Sequence, residues 1–456
     1  MREYKYIRVD KIIRDKIEEL EIRKDYKYYC MVFMNKVVYS YMYSVKKENN
    51  NDSWVRKSIE SIKEGIFGNK KITYDCIRAL ENGGLIERGT SYLKDEYSKG
   101  FKPRILPIGK FITVKAEDYL NKRQITNFQN RLIKNLDRGV EWHLINLIKN
   151  VEVDLLRLEM VARINFNYDF KIYKTKDEFI EQIMAIEISE ESIREHLKEI
   201  GLKRIRADRI EKELCKRSFL KTKMLELLEL ENTGIVKGEK GGRHFHALSN
   251  APRELRACMI STNPKKPYLM QVDIKNSQPF LLLCLFEENN IEIEQGLKMG
   301  IIGGKFYEEI GFCWGFNPFD ITNNHITRQE IKRKVYSNLL FADNEIRKES
   351  EYFQKVQANY PKFANAILTL TQNGETLASL LQELEAKQML PVVKKFKAIG
   401  LHDAVLTVTV NQESDVEKVK EEILKRFKEK YKITPSLSVD KISERKEVNL
   451  KLWKHI

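Results

Sequence analysis

The chain has 456 residues, enough for two or three domains that each bury a core. Hydrophobic residues make up 42% and charged residues 32%, which is typical of a folded soluble protein and excludes a largely disordered one. The formal net charge of +15 favours a polyanionic partner, because basic side chains that neutralise phosphates release condensed counterions.

The six cysteines are scattered and include no CxxC pair. They indicate buried reduced thiols and neither a zinc site nor a disulfide framework. The N-terminus, "MREYKYIRVDKIIRDKI", is charged throughout, and no later stretch approaches a run of about 18 apolar residues. We therefore expect a cytoplasmic protein with no membrane partner.

Residues 1–125 are predicted to form a small domain of two helices and a two-stranded wing. "DSWVRKSIESIKEGIFGN" and "KKITYDCIRALENGG" have helical periodicity, and the second ends at two glycines. "LIERGTSYL" and "RILPIGKFITV" have strand character around the polar "KDEYSKGFKP". This order resembles a winged helix, whose second helix typically enters a major groove. The resemblance implies nucleic-acid binding, although winged helices also serve as protein–protein modules.

Four basic residues of this first domain are candidate phosphate contacts: Lys70, Lys71, Arg88 and Lys102. Lysine and arginine are the side chains that most often contact nucleic-acid phosphates. Simple solvation is the alternative interpretation of each, because exposed basic residues are common on any protein surface.

Residues 126–235 are predicted to be a helical region. "EWHLINLIKNVEVDLLRLEMVARI" spaces its apolar residues three and four apart, and the charged stretch that follows residue 187 is rich in helix formers. Its charges are typical of a solvated face, and no motif there indicates chemistry. From residue 236 to 456 the composition changes, beginning with the glycine-rich, basic "GEKGGRHFHALSNAPRELRACM".

An acidic residue stands at the end of an apolar run in this third region. "YLMQVDI" predicts a buried strand with Asp273 near its end, and "SQPFLLLCLFEE" predicts a helix that starts at Ser277 to Pro279. A carboxylate at a strand end that faces a cleft is a site where a metal could neutralise it. A helix cap or a buried ion pair is the alternative.

A second carboxylate follows the same pattern downstream. "FKAIGLHDAVLTVTVN" places His402 and Asp403 at the tip of a hairpin whose second strand alternates. Asp273 and Asp403 could converge on divalent cations, and two metals about 3.5–4 Å apart clamp the attacking and leaving oxygens of a phosphoryl transfer. Oxygen ligands and retained water suit magnesium.

Between them lies "ITRQEIKRKVYSNLLFADN", which predicts a helix. Arg328, Lys332 and Tyr336 recur every four residues and so share one face. Such a face could hold a triphosphate with its cations and stack a base on its tyrosine. A basic amphipathic helix with Tyr336 in the core is the alternative.

These residues carry a resemblance. An Asp on a strand before a helix, an R-x3-K helix with an aromatic residue, and an HD hairpin, in that order, resemble motifs A, B and C of the family A DNA polymerases and the phage-type single-subunit RNA polymerases. "GRHFHALSNAPRELRACMI", "GETLASLLQELEAKQMLPVVKKF" and "VEKVKEEILKRFKEKYKITPSLSVDKI" are similar to segments around those motifs, so that the resemblance covers roughly residues 240–445.

The resemblance implies an α+β fold. Residues 236–456 would form a right-hand polymerase palm, with an antiparallel sheet, and helical fingers. The helical region would serve as a thumb or connector, and a winged-helix-like domain would precede it.

The resemblance also assigns roles. Asp273 and Asp403 would be the catalytic metal ligands, with the carbonyl of Ile274, for Mg²⁺ or for Mn²⁺ in its place. Arg328 and Lys332 would bind the nucleotide phosphates, Lys332 also stabilising charge on the leaving pyrophosphate as a catalytic residue.

Further roles concern the base, the sugar and the nucleic acid. Tyr336 would flank the base and Gln278 would also bind the nucleotide. His402 would lie by the primer terminus, and Arg243 and Arg256 would touch the nucleic-acid backbone.

The chain departs from the family pattern at several positions. Gln278 stands where family A DNA polymerases usually carry a glutamate that blocks a 2′-hydroxyl, and Ala404 follows Asp403 where they carry a second acid. Leu340 and Phe341 replace the Tyr-Gly pair late in motif B. A DNA product is narrowly favoured over RNA, because Gln278 is bulkier than the glycine of the phage-type RNA polymerases.

The sequence therefore predicts a DNA-directed nucleotidyltransferase that takes nucleoside triphosphates and a DNA template. Its compactness and winged-helix pattern suggest a phage or mobile-element protein for replication or transcription, with an accessory subunit as a further partner. One alternative is a non-catalytic replication initiator or transcription factor with a degenerate palm. Another is a metal-dependent nuclease, which needs both carboxylates but not the helix of Arg328 and Lys332.

Overall fold

Helices and small antiparallel sheets alternate in the computed structural model of the chain. This structure describes residues 6–47, 55–56, 62–89, 100–106, 110–133, 151–199, 201–202, 205–230, 236–237, 243–266, 268–317, 320, 325–371, 376–409 and 412–442. The mixture of helices with antiparallel strands agrees with the α+β class predicted from the sequence. In these residues no helix combines the length and the apolar character that crossing a membrane requires.

The first elements, up to residue 133, combine helices with two small sheets. The helices are α1 (Lys11–Glu18), α2 (Lys24–Lys47), α3 (Lys70–Asn82) and α4 (Lys122–Ile133), with a π-helical turn at Lys63–Phe67 and a 3-10 turn at Ala116–Asp118. The strands are β1 (Tyr6–Asp10), β2 (Val55–Arg56), β3 (Ile86–Arg88), β4 (Gly100–Pro103) and β5 (Phe111–Lys115). Strand β1 pairs with β5, and β2, β4 and β3 form a sheet in that order.

Capping residues define both ends of helix α3. The Asn69 side chain accepts a hydrogen bond from Lys71 N at 2.8 Å, which caps the first turn. The helix ends at Gly83, and Gly84 follows with φ of +67°, a backbone conformation that glycine adopts without strain.

The predicted helix "DSWVRKSIESIKEGIFGN" is wrong in its first part. Val55 and Arg56 form a strand, and Val55 is buried opposite Phe101 of β4. A β-branched side chain suits that position, and the tertiary contact overrides the helical spacing.

The polar turn predicted between the wing strands, residues 94–103, is wrong at its end, because Gly100–Pro103 form β4 and pair with β3. The second predicted wing strand contributes β5, which pairs with β1 instead. Residues 94–99 lie outside the described residues, and the winged-helix assignment stays a prediction.

The middle of the chain is mostly helical, as predicted, but the helix predicted at "EWHLINLIKNVEVDLLRLEMVARI" is wrong at Val151–Val153, where a strand pairs with Met259–Ser261. The β-branched valines suit that pairing, and residues 141–150 lie outside the described residues. This part of the chain contains β6 (Val151–Val153), α5 (Leu155–Phe166), α6 (Lys176–Ala185), α7 (Glu190–Glu199) and α8 (Ala207–Leu228). Helix α8 packs against two cores. Phe219 stacks on Tyr39 of α2, with ring centroids 5.5 Å apart, while Met224 joins the core formed by α5 and α6. The predicted domain boundaries at residues 125 and 235 stay predictions.

The last region is built around one four-stranded sheet. The strands of this region are β7 (Val236–Lys237), β8 (His244–Phe245), β9 (Met259–Ser261), β10 (Tyr268–Ile274), β11 (Ile399–Gly400), β12 (Ala404–Thr409) and β13 (Leu437–Lys441). Strands β11, β12, β10 and β13 lie in that order, all antiparallel, while β6 pairs with β9 and β7 with β8.

Helices make up the rest of this region. They are α9 (Ala247–Asn250), α10 (Arg253–Arg256), α11 (Ser277–Glu288), α12 (Gln295–Ile302), α13 (Phe306–Cys313), α14 (His325–Val335), α15 (Asn344–Glu349), α16 (Glu351–Asn359), α17 (Pro361–Leu370), α18 (Leu377–Phe396) and α19 (Gln412–Tyr431), with a π-helical turn at Tyr336–Leu340. The strand, helix and hairpin predicted around Asp273 and Asp403 are thereby confirmed.

Both faces of the four-stranded sheet are buried. Met270, Val272 and Ile274 pack into one core with α11, α18 and α19. Leu269 and Leu406 pack into a second core with α5, α6 and α8. Because successive side chains of a strand point to opposite faces, this burial fixes the register of the strands that carry the acidic residues.

We expect Phe280→Ala to destabilise the fold by about 3–5 kcal/mol, the usual effect of emptying a buried aromatic site. Phe280 is 1% exposed and its ring meets that of Phe427 edge-on, with centroids 5.2 Å apart. The control is Phe312→Ala, because Phe312 is 62% exposed and should change stability by no more than about 0.5 kcal/mol. Urea unfolding measures both, and equal losses would contradict the packing described above.

Candidate active site

The sheet register brings the two acidic residues to one place. Asp273 of β10 pairs with Ala404 of β12, so Asp403 stands one residue from it on the neighbouring strand. The Ile274 N–H donates to the main-chain carbonyl of Asp403 at 3.2 Å and holds the two strand ends together. His402 has φ of +64°, which forms the tight corner of the hairpin.

A cleft of about 370 Å³ lies over these strand ends. Its lining is mostly polar and includes both carboxylates and five cationic residues. The cationic residues are Arg253, Arg256, Lys275, Arg328 and Lys332. Residues from β10, β12, α10, α13 and α14 therefore share one concave surface.

Burial raises the pKa values of both carboxyl groups, and the charge of Asp403 adds to the rise at Asp273. Burial is the larger cause at Asp273, followed by the charge of Asp403, and its pKa rises to about 7 although Arg253 and Lys332 oppose the shift. Burial also raises the pKa of Asp403, against a backbone hydrogen bond and the charge of Lys332. Positive charge beyond that of the neighbouring basic side chains would stabilise the ionised forms of the two carboxyl groups.

The donor set fits a hard divalent cation. Asp273 Oδ1 is buried and has no hydrogen-bond partner among the described residues. The described part of the chain contains no cluster of three His, Cys, Asp or Glu side chains arranged for a metal. Magnesium does not require one, because it usually keeps several waters beside one or two carboxylates. Asp273, Asp403 and the Ile274 carbonyl are the groups that would hold it.

Helix α14 supplies two cations to the cleft. Lys332 makes no hydrogen bond or ion pair with another residue that the structure describes, and its Nζ lies 5.8 Å from the ring centroid of Tyr307 and 5.7 Å from that of Tyr336. Burial lowers its pKa, an effect that the charges of Asp403 and Asp273 oppose. Its charge is thus available to an anion in the cleft.

Arg328 is held by two neighbours. Its Nε donates to Glu308 Oε1 at 2.8 Å, and its Nη2 donates to Asn276 Oδ1 at 3.2 Å. Asn276 has φ of +49°, which turns the chain between β10 and α11. Its Nδ2 and the Oε2 of Glu308 are both buried without a partner among the described residues.

Tyr336 begins the π-helical turn that follows α14. It stacks on Phe341 with the ring planes 7° apart, and the Tyr307 hydroxyl lies 3.3 Å from its own. The turn is fastened by Arg347, which is 1% exposed and donates from Nε to Leu339 O at 2.9 Å. Tyr336 lines the cleft and also packs, partly buried, against the core that contains Leu339.

Gln278 and Arg243 meet at a residue that the sequence did not indicate. Glu385 of α18 is 1% exposed and its Oε2 accepts hydrogen bonds from Arg243 and, at 3.1 Å, from Gln278 Nε2. Burial raises the pKa of Glu385 to about 7, and Arg243 opposes the shift. Neither Gln278 nor Arg243 lines the cleft, and their nucleotide and nucleic-acid roles stay predictions.

The remaining predicted residues divide between the cleft and the surface. Arg256 and His402 line the cleft. The His402 ring meets Phe245 edge-on at 5.4 Å, and burial, followed by the charge of Arg243, lowers its pKa to about 4. The four candidate phosphate contacts near the N-terminus lie elsewhere, on α3, β3 and β4: Lys70, Lys71, Arg88 and Lys102.

Tyr307, Glu308, Asn276 and Glu385 are site residues that the sequence reasoning missed. Tyr307 and Glu308 lie on α13, and no catalytic motif surrounds them in the sequence. The identity of Asn276 could have indicated the turn, because Asn tolerates a positive φ between a strand and a helix.

We expect Asp403→Asn to raise the melting temperature of the metal-free protein at pH 8. The folded pKa of Asp273 is about 7, above its unfolded value. The folded protein therefore binds more protons than the unfolded chain between about pH 4 and 7, and stability falls as the pH rises through that window. Removing the charge of Asp403 should reduce this loss of stability at pH 8 and change stability little at pH 4.

A gain of roughly 2–4 °C would correspond to about 1 kcal/mol in a unit of 150–250 residues. Thermal unfolding in EDTA measures it. Asp118→Asn, at an exposed position, is the control and should leave the melting temperature unchanged. A lower melting temperature for Asp403→Asn at pH 8 would refute the repulsion between the two carboxylates.

Comparisons with known proteins do not assign the chain to a family. No protein-family model matches the chain, and no curated protein matches it. Among solved structures, it is similar to the POL domain of Pol1 from M. smegmatis, in a complex with DNA primer-template and dNTP. The match has a TM-score of 0.42 and 12% sequence identity, and covers 70% of this chain and 73% of that chain. What the cleft can do therefore follows from its own residues.

Proposed function

We propose that the protein is a template-directed nucleotidyltransferase, a nucleic acid polymerase that uses a DNA template and nucleoside triphosphates. One observation carries this proposal: two carboxylates on adjacent strand ends share a cleft with the uncommitted cation Lys332. A nuclease would need the carboxylates, but it would have no evident use for the cations of α14. The aromatic rings beside those cations suit a nucleotide base as well.

The reaction would be attack of a primer 3′-hydroxyl on the α-phosphate of the nucleotide. The new bond joins the 3′-oxygen to the α-phosphorus, the bond to the β-phosphate oxygen breaks, and pyrophosphate leaves while the hydroxyl loses its proton. Magnesium, when bound, supplies positive charge to the reacting oxygens. Asp273, Asp403 and the Ile274 carbonyl would hold it at the strand ends.

The other cleft residues would position the nucleotide. Lys332 would contact the phosphates and stabilise the charge that develops on the leaving pyrophosphate. Arg328 would bind the phosphate tail, and Tyr336 would flank the base. Arg256 of α10 and His402 of the hairpin, which also line the cleft, would contact the primer and template.

The N-terminal region would add a contact to duplex DNA. Helix α3 exposes Lys70, Tyr74 and Arg78, which recur every four residues and so form one stripe. None of the three makes an ion pair with a described residue. A basic stripe of this kind suits phosphate contacts. Such a contact would suit a replication or transcription protein, which we propose belongs to a phage or mobile element.

The sugar of the product would be read near Gln278. DNA is narrowly favoured, because the side chain is bulky and buried at the start of α11. Primer extension with dNTPs and NTPs in separate reactions distinguishes a DNA product from an RNA product directly. An accessory subunit, if one is required, would appear as extension that needs a second component.

The first test is primer extension on a primed DNA template with Mg²⁺, with dNTPs and NTPs in separate reactions. We expect wild-type protein to extend the primer and Asp403→Ala to lose extension, because the variant removes half of the carboxylate pair. Asp118→Ala should extend as wild type does. DNA binding in a gel without extension in any reaction would instead favour the initiator or transcription factor.

The second test separates a polymerase from a nuclease. Lys332→Ala should lower kcat for extension by about 10²–10³-fold, the usual effect of removing one group that stabilises transition-state charge. Arg333→Ala, at an exposed position on the same helix, is the control and should change kcat little. Metal-dependent DNA cleavage that survives Lys332→Ala would favour the nuclease.

A further inference from the structure

The two cations of α14 are in different states in the free protein. Lys332 has no ion pair with a described residue, whereas Arg328 is paired with Glu308 of α13. Both line the same cleft. The phosphate tail of a nucleotide would therefore meet one open cation and one that is already occupied.

Glu308 and Asn276 occupy the edge of Arg328 that best recognises phosphate. The Nε and Nη2 groups form one side of the guanidinium, and this side presents two parallel N–H donors. In the free protein those donors go to Glu308 Oε1 and Asn276 Oδ1. The carboxylate of Glu308 thus takes the position of an anionic ligand.

The pairing is built to be displaced. It is a single contact, because the second carboxylate oxygen of Glu308 has no partner among the described residues. Both side chains are about a third exposed, at 33% and 30%. Ion pairs at such exposure contribute little, far less than a triphosphate gains from several charged groups.

Two orphan groups beside the pair favour the same rearrangement. Asn276 Nδ2 is a buried donor without an acceptor, and Glu308 Oε2 is a buried acceptor without a donor. Both residues bind one edge of Arg328 and so lie next to each other. Once Arg328 turns to a phosphate, the amide and the carboxylate are left adjacent with complementary groups.

We propose that Glu308 competes with the nucleotide for Arg328 and so sets the affinity of the site for the triphosphate and for pyrophosphate. In the empty site Glu308 holds the arginine. An incoming triphosphate displaces it, and after pyrophosphate forms, the carboxylate takes the arginine back and favours release. This proposal rests on the proposed function, since it assigns Arg328 to the phosphate tail.

The test compares Glu308→Gln with wild type at low salt. The variant removes the competing charge and keeps the side-chain shape, so the KM for the nucleotide should fall about two- to fivefold, with kcat unchanged or lower because pyrophosphate leaves more slowly. The difference should shrink in high salt. Glu309→Gln is the matched control, because Glu309 is adjacent on α13 and lies over Gly300 instead.

A purely structural role predicts the opposite sign. If Glu308 serves only to hold Arg328 in a binding orientation, Glu308→Gln will raise KM, and that result overturns the proposal. An unchanged KM overturns it too. In the Arg328→Ala background the substitution of Glu308 should have no effect on KM, because the two residues act through one contact.

Binding of inorganic triphosphate, measured by calorimetry on the full chain, separates this proposal from the proposed function. Tighter binding by Glu308→Gln that is lost with Arg328→Ala supports the competition even if no primer is extended. Extension without any change in triphosphate binding refutes the competition and leaves the polymerase standing. Unfolding curves of each variant exclude misfolding as the cause of a change.

Discussion

The repulsion between Asp273 and Asp403 is the constraint on which the site depends. Two carboxylates would separate if the backbone allowed it, yet the pairing of β10 with β12 holds them on neighbouring strands. That pairing is itself fixed by burial on both faces of the sheet, because a slip by one residue would turn Val272 and Leu406 out of their cores. Packing energy far from the cleft thus keeps two like charges together.

The cations around the pair show how this charge is balanced. Lys332 and Arg253 lower the pKa of Asp273, but burial and Asp403 outweigh them. The imbalance suits a site that gains a cation in use.

The sequence was informative where structure is local. The strand of Asp273, the hairpin of Asp403 and the helix of Lys332 each follow from spacing or alternation within about 20 residues, and all three form as predicted. The pattern of an acidic residue beside each β-run allowed Asp273 and Asp403 to converge, and the family resemblance favoured that arrangement. The cations of α14, which share one helix face by their spacing, also line the cleft.

The partners of those residues could not be predicted, because they are distant in sequence. Glu385 lies 142 residues from Arg243 and 107 from Gln278. Glu308 lies 20 residues from Arg328 on another helix. The helix predicted at Val55 was wrong for the same reason, because the strand there depends on pairing with Phe101. Pair contacts across the fold decided each of these positions, and single-residue patterns contain no information on them.

The π-helical turn at Tyr336–Leu340 has a consequence for how this chain can vary. Such a turn holds one residue more than the α-helix that precedes it. Deleting a single residue there would close the wide turn to regular α-helix and so shift Tyr336 relative to Leu339 and Phe341. Phe341 would leave Tyr336, and Arg347 would lose the carbonyls that it fastens. Homologous chains should therefore vary in residue identity along this segment while keeping its length.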